Sequence, residues 1–180
     1  MKMKNKIYIL GIDPGLDGVV TLLSSSGKPL LMVEGFKINV GKGKTKSGNR
    51  RVRNVHDLYR MDTLLKHIMK KVGCGNIRAL LEHQSTRPRQ AAQSVFKTGY
   101  GFGAWEMCLV SNKISYQLVH PISWQKKMFK GYMGNGDTKK TSILVAKKLF
   151  PTVKFKRAKD HNKSDSLLIA EYYRREIVGG

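Results

Sequence analysis

Three acidic side chains stand where the surrounding sequence makes an acid expensive. Asp13 directly follows the apolar run of residues 7–12, Glu82 ends Ala79-Leu80-Leu81, and Asp165 precedes Leu167-Leu168-Ile169-Ala170. A carboxylate among buried residues costs several kcal/mol unless it is paired, protonated or bound to a cation. Three from separate segments suggest one shared site for a hard divalent ion such as Mg²⁺, which carboxylate oxygens and water coordinate. Two such ions about 3.5–4 Å apart activate a water and stabilise the leaving oxygen of a phosphodiester. Each acid also has an ordinary reading. Asp13-Pro14-Gly15 makes a turn, Glu82 can end a strand at the surface, and Asp165 can sit in a helix's first turn, where the dipole favours it. Their joint occurrence in a strongly basic chain favours the shared site, and with it a metal-dependent nuclease.

The charge balance supports a polyanionic partner. The 180 residues carry 34 Lys+Arg against 12 Asp+Glu, a formal net charge of +22. Such an excess attracts nucleic acid. At 41% hydrophobic and 26% charged, the composition excludes fibrous, collagen-like and wholly disordered classes. Cys74 and Cys108 are too few for a Cys/His zinc cluster and read as reduced thiols packed as small hydrophobes. No apolar run reaches the ~18 residues of a membrane span. Residues 1–6 are basic, but the short apolar stretch after them lacks a small-residue cleavage site, which argues against a signal peptide. The expectation is a cytoplasmic or nucleoid-type, DNA-containing compartment, with no secretion and no membrane partner.

These acids need a scaffold, and the apolar pattern predicts one. Residues 7–12, 19–23 and 30–33 read as an antiparallel three-strand meander, with Asp17-Gly18 as a hairpin turn. Residues 37–54 are rich in Lys, Arg and Gly, contain no acid, and read as a basic flexible loop able to touch phosphate through Arg50, Arg51 and Arg53. Leu58, Met61, Leu65, Ile68, Met69 and Val72 recur at helical spacing over 56–72. A strand over 77–81 follows, then a helix from about residue 96 interrupted by Gly99, Gly101 and Gly103. A strand over 115–120 stops at Pro121, and helices cover 138–150 and 163–177. The predicted order, βββ-α-β-α-β-α-α, describes a single α/β domain over 1–180.

Gly11-Ile12-Asp13-Pro14-Gly15 resembles the first motif of the RuvC family of Holliday-junction resolvases, within the RNase H-like superfamily. Leu81-Glu82-His83-Gln84 is similar to the second motif, a Glu at a strand end, and residues 160–170 to the last, an acid-bearing helix. Within the family the chain most resembles phage-type and chloroplast-type members, through Gly99-Tyr100-Gly101-Phe102-Gly103 and the ending around Asp165. The resemblance implies an RNase H-like fold, a mixed five-stranded sheet flanked by helices. It also implies a crossover junction endodeoxyribonuclease that uses Mg²⁺, two ions per site, with Mn²⁺ able to substitute. Such an enzyme acts as a homodimer, makes paired symmetric cuts in four-way DNA junctions during recombination and repair, and needs no nucleotide cofactor. The alternatives are a broader fork and flap nuclease of the same fold, or a non-catalytic basic DNA-binding protein.

The family's site residues transfer unequally. Asp13, Glu82 and Asp165 sit in the motifs as metal ligands. Many relatives carry an acid where this chain has Asn162. At about 100° per residue, His161 lies ~40° from Asp165, Asn162 ~60° and Asp160 ~140°. His161 is therefore preferred as fourth ligand, with Asp160 as the alternate or as a helix cap. Lys139 and Lys140 sit where the family carries a basic residue near the scissile phosphate, although either can be a surface lysine. Arg87, Arg89 and Lys97 are candidates for phosphate contact. Phe96 or Tyr100 can stack on an unpaired base or line a helix seam near the family's two-fold axis.

Overall fold

In the computed structural model, residues 6–85, 89–132, 136–157 and 160–178 are described. The first apolar run becomes β1 (Tyr8–Ile12), buried because it lies mid-sheet with a partner on each side. It pairs antiparallel with β2 (Val19–Ser24), which pairs antiparallel with β3 (Pro29–Glu34). On its other side β1 runs parallel to β6 (Ile77–Glu82), and β6 runs parallel to β7 (Ser115–Val119). The order β3-β2-β1-β6-β7 is the mixed five-stranded sheet that the family resemblance implies.

Strand alternation sends side chains into two cores, one on each face. On one face Leu10, Ile12, Leu22, Ala79 and Leu81 meet α1 (Leu58–Val72) and α2 (Ala92–Ser111) through Met61, Leu65, Ile68, Trp105 and Leu109. On the other, Ile9, Leu23 and Leu80 meet α3 (Pro121–Met128), α4 (Thr138–Leu149) and α5 (His161–Val178) through Trp124, Val145, Leu168 and Ile169. No helix among the described residues is long and apolar enough to cross a membrane.

Several boundaries differ from expectation. The basic segment is not wholly irregular: β4 (Lys37–Asn39) and β5 (Asn54–His56) form a two-stranded antiparallel ladder, and Lys44 bridges Arg50 farther out. It is an arm closed at its root, and that ladder takes His56 out of the predicted first helix. Asp57 instead caps α1, accepting from the Arg60 N–H at 3.0 Å. The helix α3 was not anticipated, because Pro121 reads as the end of a strand. It serves equally well as the first residue of a helix, where its missing N–H is no loss. α2 begins at Ala92 and carries its glycines without a break, since one face is anchored by buried Trp105 and Leu109.

One contact sets the position of α5. A Cβ on Gly11 would lie 2.4 Å from the Ser166 carbonyl oxygen and 2.6 Å from the Ala170 nitrogen. Only glycine lets helix backbone lie directly on β1. The Ser166 hydroxyl fastens the contact, donating to the Gly11 carbonyl at 3.0 Å and bonding Thr21 Oγ1 at 2.8 Å. Asp165 is thereby held against the strand that Asp13 follows.

Candidate active site

Asp13 follows the last residue of β1, Glu82 is the last residue of β6, and Asp165 lies in the second turn of α5. Because β1 and β6 are parallel neighbours with Ile12 opposite Leu81, their acids emerge at the same sheet end. α5 brings the third acid across Gly11 to that end. The site is thus a consequence of strand register plus one close helix approach.

Each carboxylate is held by a donor. Asp13 Oδ1 accepts from the Gly15 N–H at 3.1 Å, inside the turn that Pro14 begins. Glu82 Oε1 accepts from Trp124 Nε1 at 2.8 Å, and Oε2 from Gln84 Nε2 at 3.3 Å. Asp165 Oδ1 accepts from the Ser142 hydroxyl of α4, which also bonds Ser164 Oγ at 2.8 Å.

Their electrostatics record desolvation and mutual repulsion. Burial pushes the Asp13 carboxyl up to about 6, against opposing pulls from the Gly15 N–H and His161. Burial and then the charge of Asp13 push Glu82 up to about 8, despite its two donors. Asp165 rises to about 7 through burial, and there the Ser142 hydroxyl and Lys139 oppose the repulsion from Asp13. The three acids feel one another, although among the described residues no three His, Cys, Asp or Glu side chains converge as a ready cage. The donor set nevertheless fits a hard divalent cation: oxygens only, from rigid elements, destabilised by their own proximity.

Of the remaining candidates, His161 stands close enough for its charge to act on Asp13. Asp160 does not join the site. It is 2% exposed, accepts from the Lys156 and Arg157 N–H groups at 2.8 and 2.9 Å and from Arg157 Nε at 2.8 Å, and is held down at about 2. Arg157 also reaches Glu34 at 3.1 Å, so Asp160 clasps the α5 entry to the end of β3. Asn162 donates to the Asp17 carbonyl at 2.8 Å, a structural task that replaces the acid expected of relatives. Lys139 lines a cleft of about 620 Å³ with Glu82, Gln84, Arg89 and Asp165. Lys140, one residue on, turns to Asp137 at 3.6 Å, so only the first lysine of the pair faces the acids.

Arg89 borders that same cleft, whereas Arg87 lies outside the described residues. Arg51, Arg53 and Lys97 line a separate groove between the arm and α2, and Arg50 is exposed on the arm. Phe96 and Tyr100, 72% and 46% exposed, stack at 6.3 Å on the outer face of α2. Sequence reasoning missed Trp124, Gln84 and Ser142. Trp124 lies in the unanticipated helix, and the only trace of Ser142 was a small polar residue opposite Ser164, which a linear sequence cannot pair.

Solved structures resemble the whole arrangement. Thermus thermophilus RuvC superposes with a TM-score of 0.54 at 16% identity, over 96% of this chain and 97% of that one. The T. thermophilus RuvC in complex with Holliday junction substrate gives 0.58 at 17% identity, over 94% and 96%. The fold is that of the RuvC-type, RNase H-like resolvases. The yeast mitochondrial Holliday junction resolvase Ydc2 gives 0.57 at 13% identity, over 93% of this chain and 77% of that one. No family model matches the sequence, and no curated protein matches it significantly.

Proposed function

We propose that this protein is a divalent-metal-dependent endonuclease that resolves four-way DNA junctions by paired cuts. The observation that carries the proposal is the trio Asp13, Glu82 and Asp165. They stand half-buried at one sheet end on a RuvC-type fold, and each is raised in pKa chiefly by desolvation, with a neighbouring acid adding to it. Asp13, Glu82 and Asp165, with His161 beside Asp13, would hold Mg²⁺ there, which would make a water acidic enough to attack a phosphodiester and supply positive charge to the departing 3′ oxygen.

The chain's own residues do the positioning. Trp124 and Gln84 fix both oxygens of Glu82, the Gly15 N–H orients Asp13, and Ser142 orients Asp165. Lys139 places a fixed cation at the cleft, where negative charge grows on the phosphate. Arg89 lies along the same cleft to hold the strand's backbone.

Paired cuts need two sites. Phe96, Tyr100, Gly103, Met107 and Val110 are exposed and recur at alternating four- and three-residue spacing along α2. Such spacing suits a seam between two packed helices, with a second copy of the chain as its occupant. A two-fold dimer then matches a two-fold junction.

The test compares a mobile four-way junction with linear duplex, fork and flap, in Mg²⁺ and in EDTA, with the native chain and Glu82→Gln. Symmetric paired nicks in the junction, abolished by EDTA and by the substitution, are expected. Equal cutting of forks and flaps would make it a general branched-DNA nuclease. Binding without cutting in any divalent metal would leave a DNA-binding protein.

A further inference from the structure

Strand alternation parts two neighbours at the end of β6. Glu82 turns toward α3 and meets Trp124, while His83 turns toward α2, where its ring lies 5.4 Å from that of Phe102. The His83 backbone N–H donates to the Val119 carbonyl at 2.8 Å, which carries the β6–β7 ladder one residue past the strand. His120, next after Val119, sets its ring 4.5 Å from that of His83. The sheet thus fixes the backbone, and Phe102 and His120 fix the half-buried imidazole. A side chain held in this way loses little freedom when it binds something.

Its two nitrogens differ. Nδ1 is shut from solvent and has no hydrogen-bond partner among the described residues, whereas Nε2 is not shut off. The side chain lines the cleft shared by Glu82, Arg89, Lys139 and Asp165. A neutral imidazole carries one proton, and a buried N–H without an acceptor is rarer than a buried bare lone pair. The proton therefore belongs on Nε2, and a cationic ring, with a second N–H on Nδ1, is disfavoured for the same reason. The cleft gains one neutral, pre-aimed N–H donor.

The surroundings select its acceptor. Both Glu82 oxygens, Asp13 Oδ1 and Asp165 Oδ1 already accept from other donors. Arg89 and Lys139 draw phosphate into this cleft. A third cation beside Glu82 would repel a divalent metal ion, whereas a neutral N–H grips a phosphate oxygen without that cost.

We propose that His83 is a substrate-contacting residue whose Nε2–H donates to a non-bridging oxygen of one phosphate in the strand to be cut, seating that strand against Glu82. The inference deepens the nuclease reading and rests on it.

The probe is a set of four-way junctions, each carrying one methylphosphonate at matching positions of two opposed strands near the crossover. Each is titrated in EDTA with the native chain, His83→Phe and His83→Gln. The phenyl ring keeps the packing against Phe102 and His120 and removes both nitrogens, while the glutamine amide restores a donor near the place of Nε2. At one position the methylphosphonate should weaken the native chain and His83→Gln about tenfold and His83→Phe hardly at all. On the unmodified junction His83→Phe should bind about tenfold more weakly than the native chain. Melting curves confirm that each variant is folded, and the comparison of positions within one variant separates contact from damage. Equal penalties in native chain and His83→Phe at every position would overturn the proposal, as would unchanged binding of the unmodified junction by His83→Phe. Junction cutting in Mg²⁺ without this coupling would defeat the inference alone. Coupling at one phosphate without cutting in any divalent metal would defeat the nuclease reading alone.

Discussion

Glu82 carries the clearest conflict in the molecule: a carboxylate fixed by the Trp124 and Gln84 donors, yet pushed up to about 8 by burial and by Asp13. A glutamine there keeps an acceptor for Trp124 and removes the repelled charge. Glu82→Gln should therefore lower cleavage by on the order of 10²–10³-fold while raising the melting temperature of the metal-free protein near pH 8. Activity and melting curves on one preparation check both halves. The three raised carboxylates also set a pH dependence. An acid whose native pKa exceeds its unfolded value leaves the fold stable below the unfolded value and weakens it as pH rises through the native one. Here the unfolded values lie at 3.8 and 4.5 and the native ones at about 6, 7 and 8. Metal-free protein should melt at progressively lower temperature between about pH 4 and pH 8, and saturating Mg²⁺ should flatten that slope. A melting temperature that climbs across this window would contradict the assigned environments. Trp124 acts through Glu82, so Trp124→Phe should weaken metal binding by about 10–100-fold, measured by how much Mg²⁺ half-saturates cutting.

At the scale of elements, the site depends on α5 lying flat on β1. Gly11→Ala sets a methyl group 2.4 Å from the Ser166 carbonyl, where backbone cannot give way cheaply. The helix must lift, and Asp165 moves away from Asp13. The expected loss is about 1–3 kcal/mol, read by denaturant unfolding, together with loss of cutting. These elements were unequally legible in the sequence. β1 and β6 announced themselves as short apolar runs ending in acids, and the spacing in α1 left little choice of helix face. The acids were therefore visible, and the helical angle favoured His161 over Asp160. What holds the acids was not visible. Trp124 belongs to an eight-residue helix opened by a proline that also suits a strand end, and Ser142 meets Asp165 only across two packed helices. The arm illustrates the same limit. Its composition reads as solvated loop, while its ladder comes from only three residue pairs, too few for alternation to register.

The whole molecule combines a net charge of +22 with three of its twelve acids gathered at one sheet end. Binding through so many cations should release counterions, so the log of affinity should fall against the log of salt by about 0.9 per phosphate neutralised. Affinity that ignores salt would contradict the basic groove. The outer stripe of α2 should hold two copies together, and Met107→Glu should convert a dimer to a folded monomer in light scattering. A native chain that is monomeric at every concentration would remove the two-fold basis for paired cuts.

Whether Asp13, Glu82 and Asp165 act as one cation site is measured most directly by titrating Mg²⁺ or Mn²⁺ calorimetrically at pH 7 in buffers of different ionisation enthalpy. With native values of about 6, 7 and 8, the metal-free protein still holds protons on these acids at that pH, and a cation must displace them. The prediction is binding coupled to proton release, with the release vanishing at pH 9 and the binding vanishing in Asp165→Asn. Binding that releases no protons at pH 7, or that survives Asp165→Asn unchanged, would place the metal elsewhere.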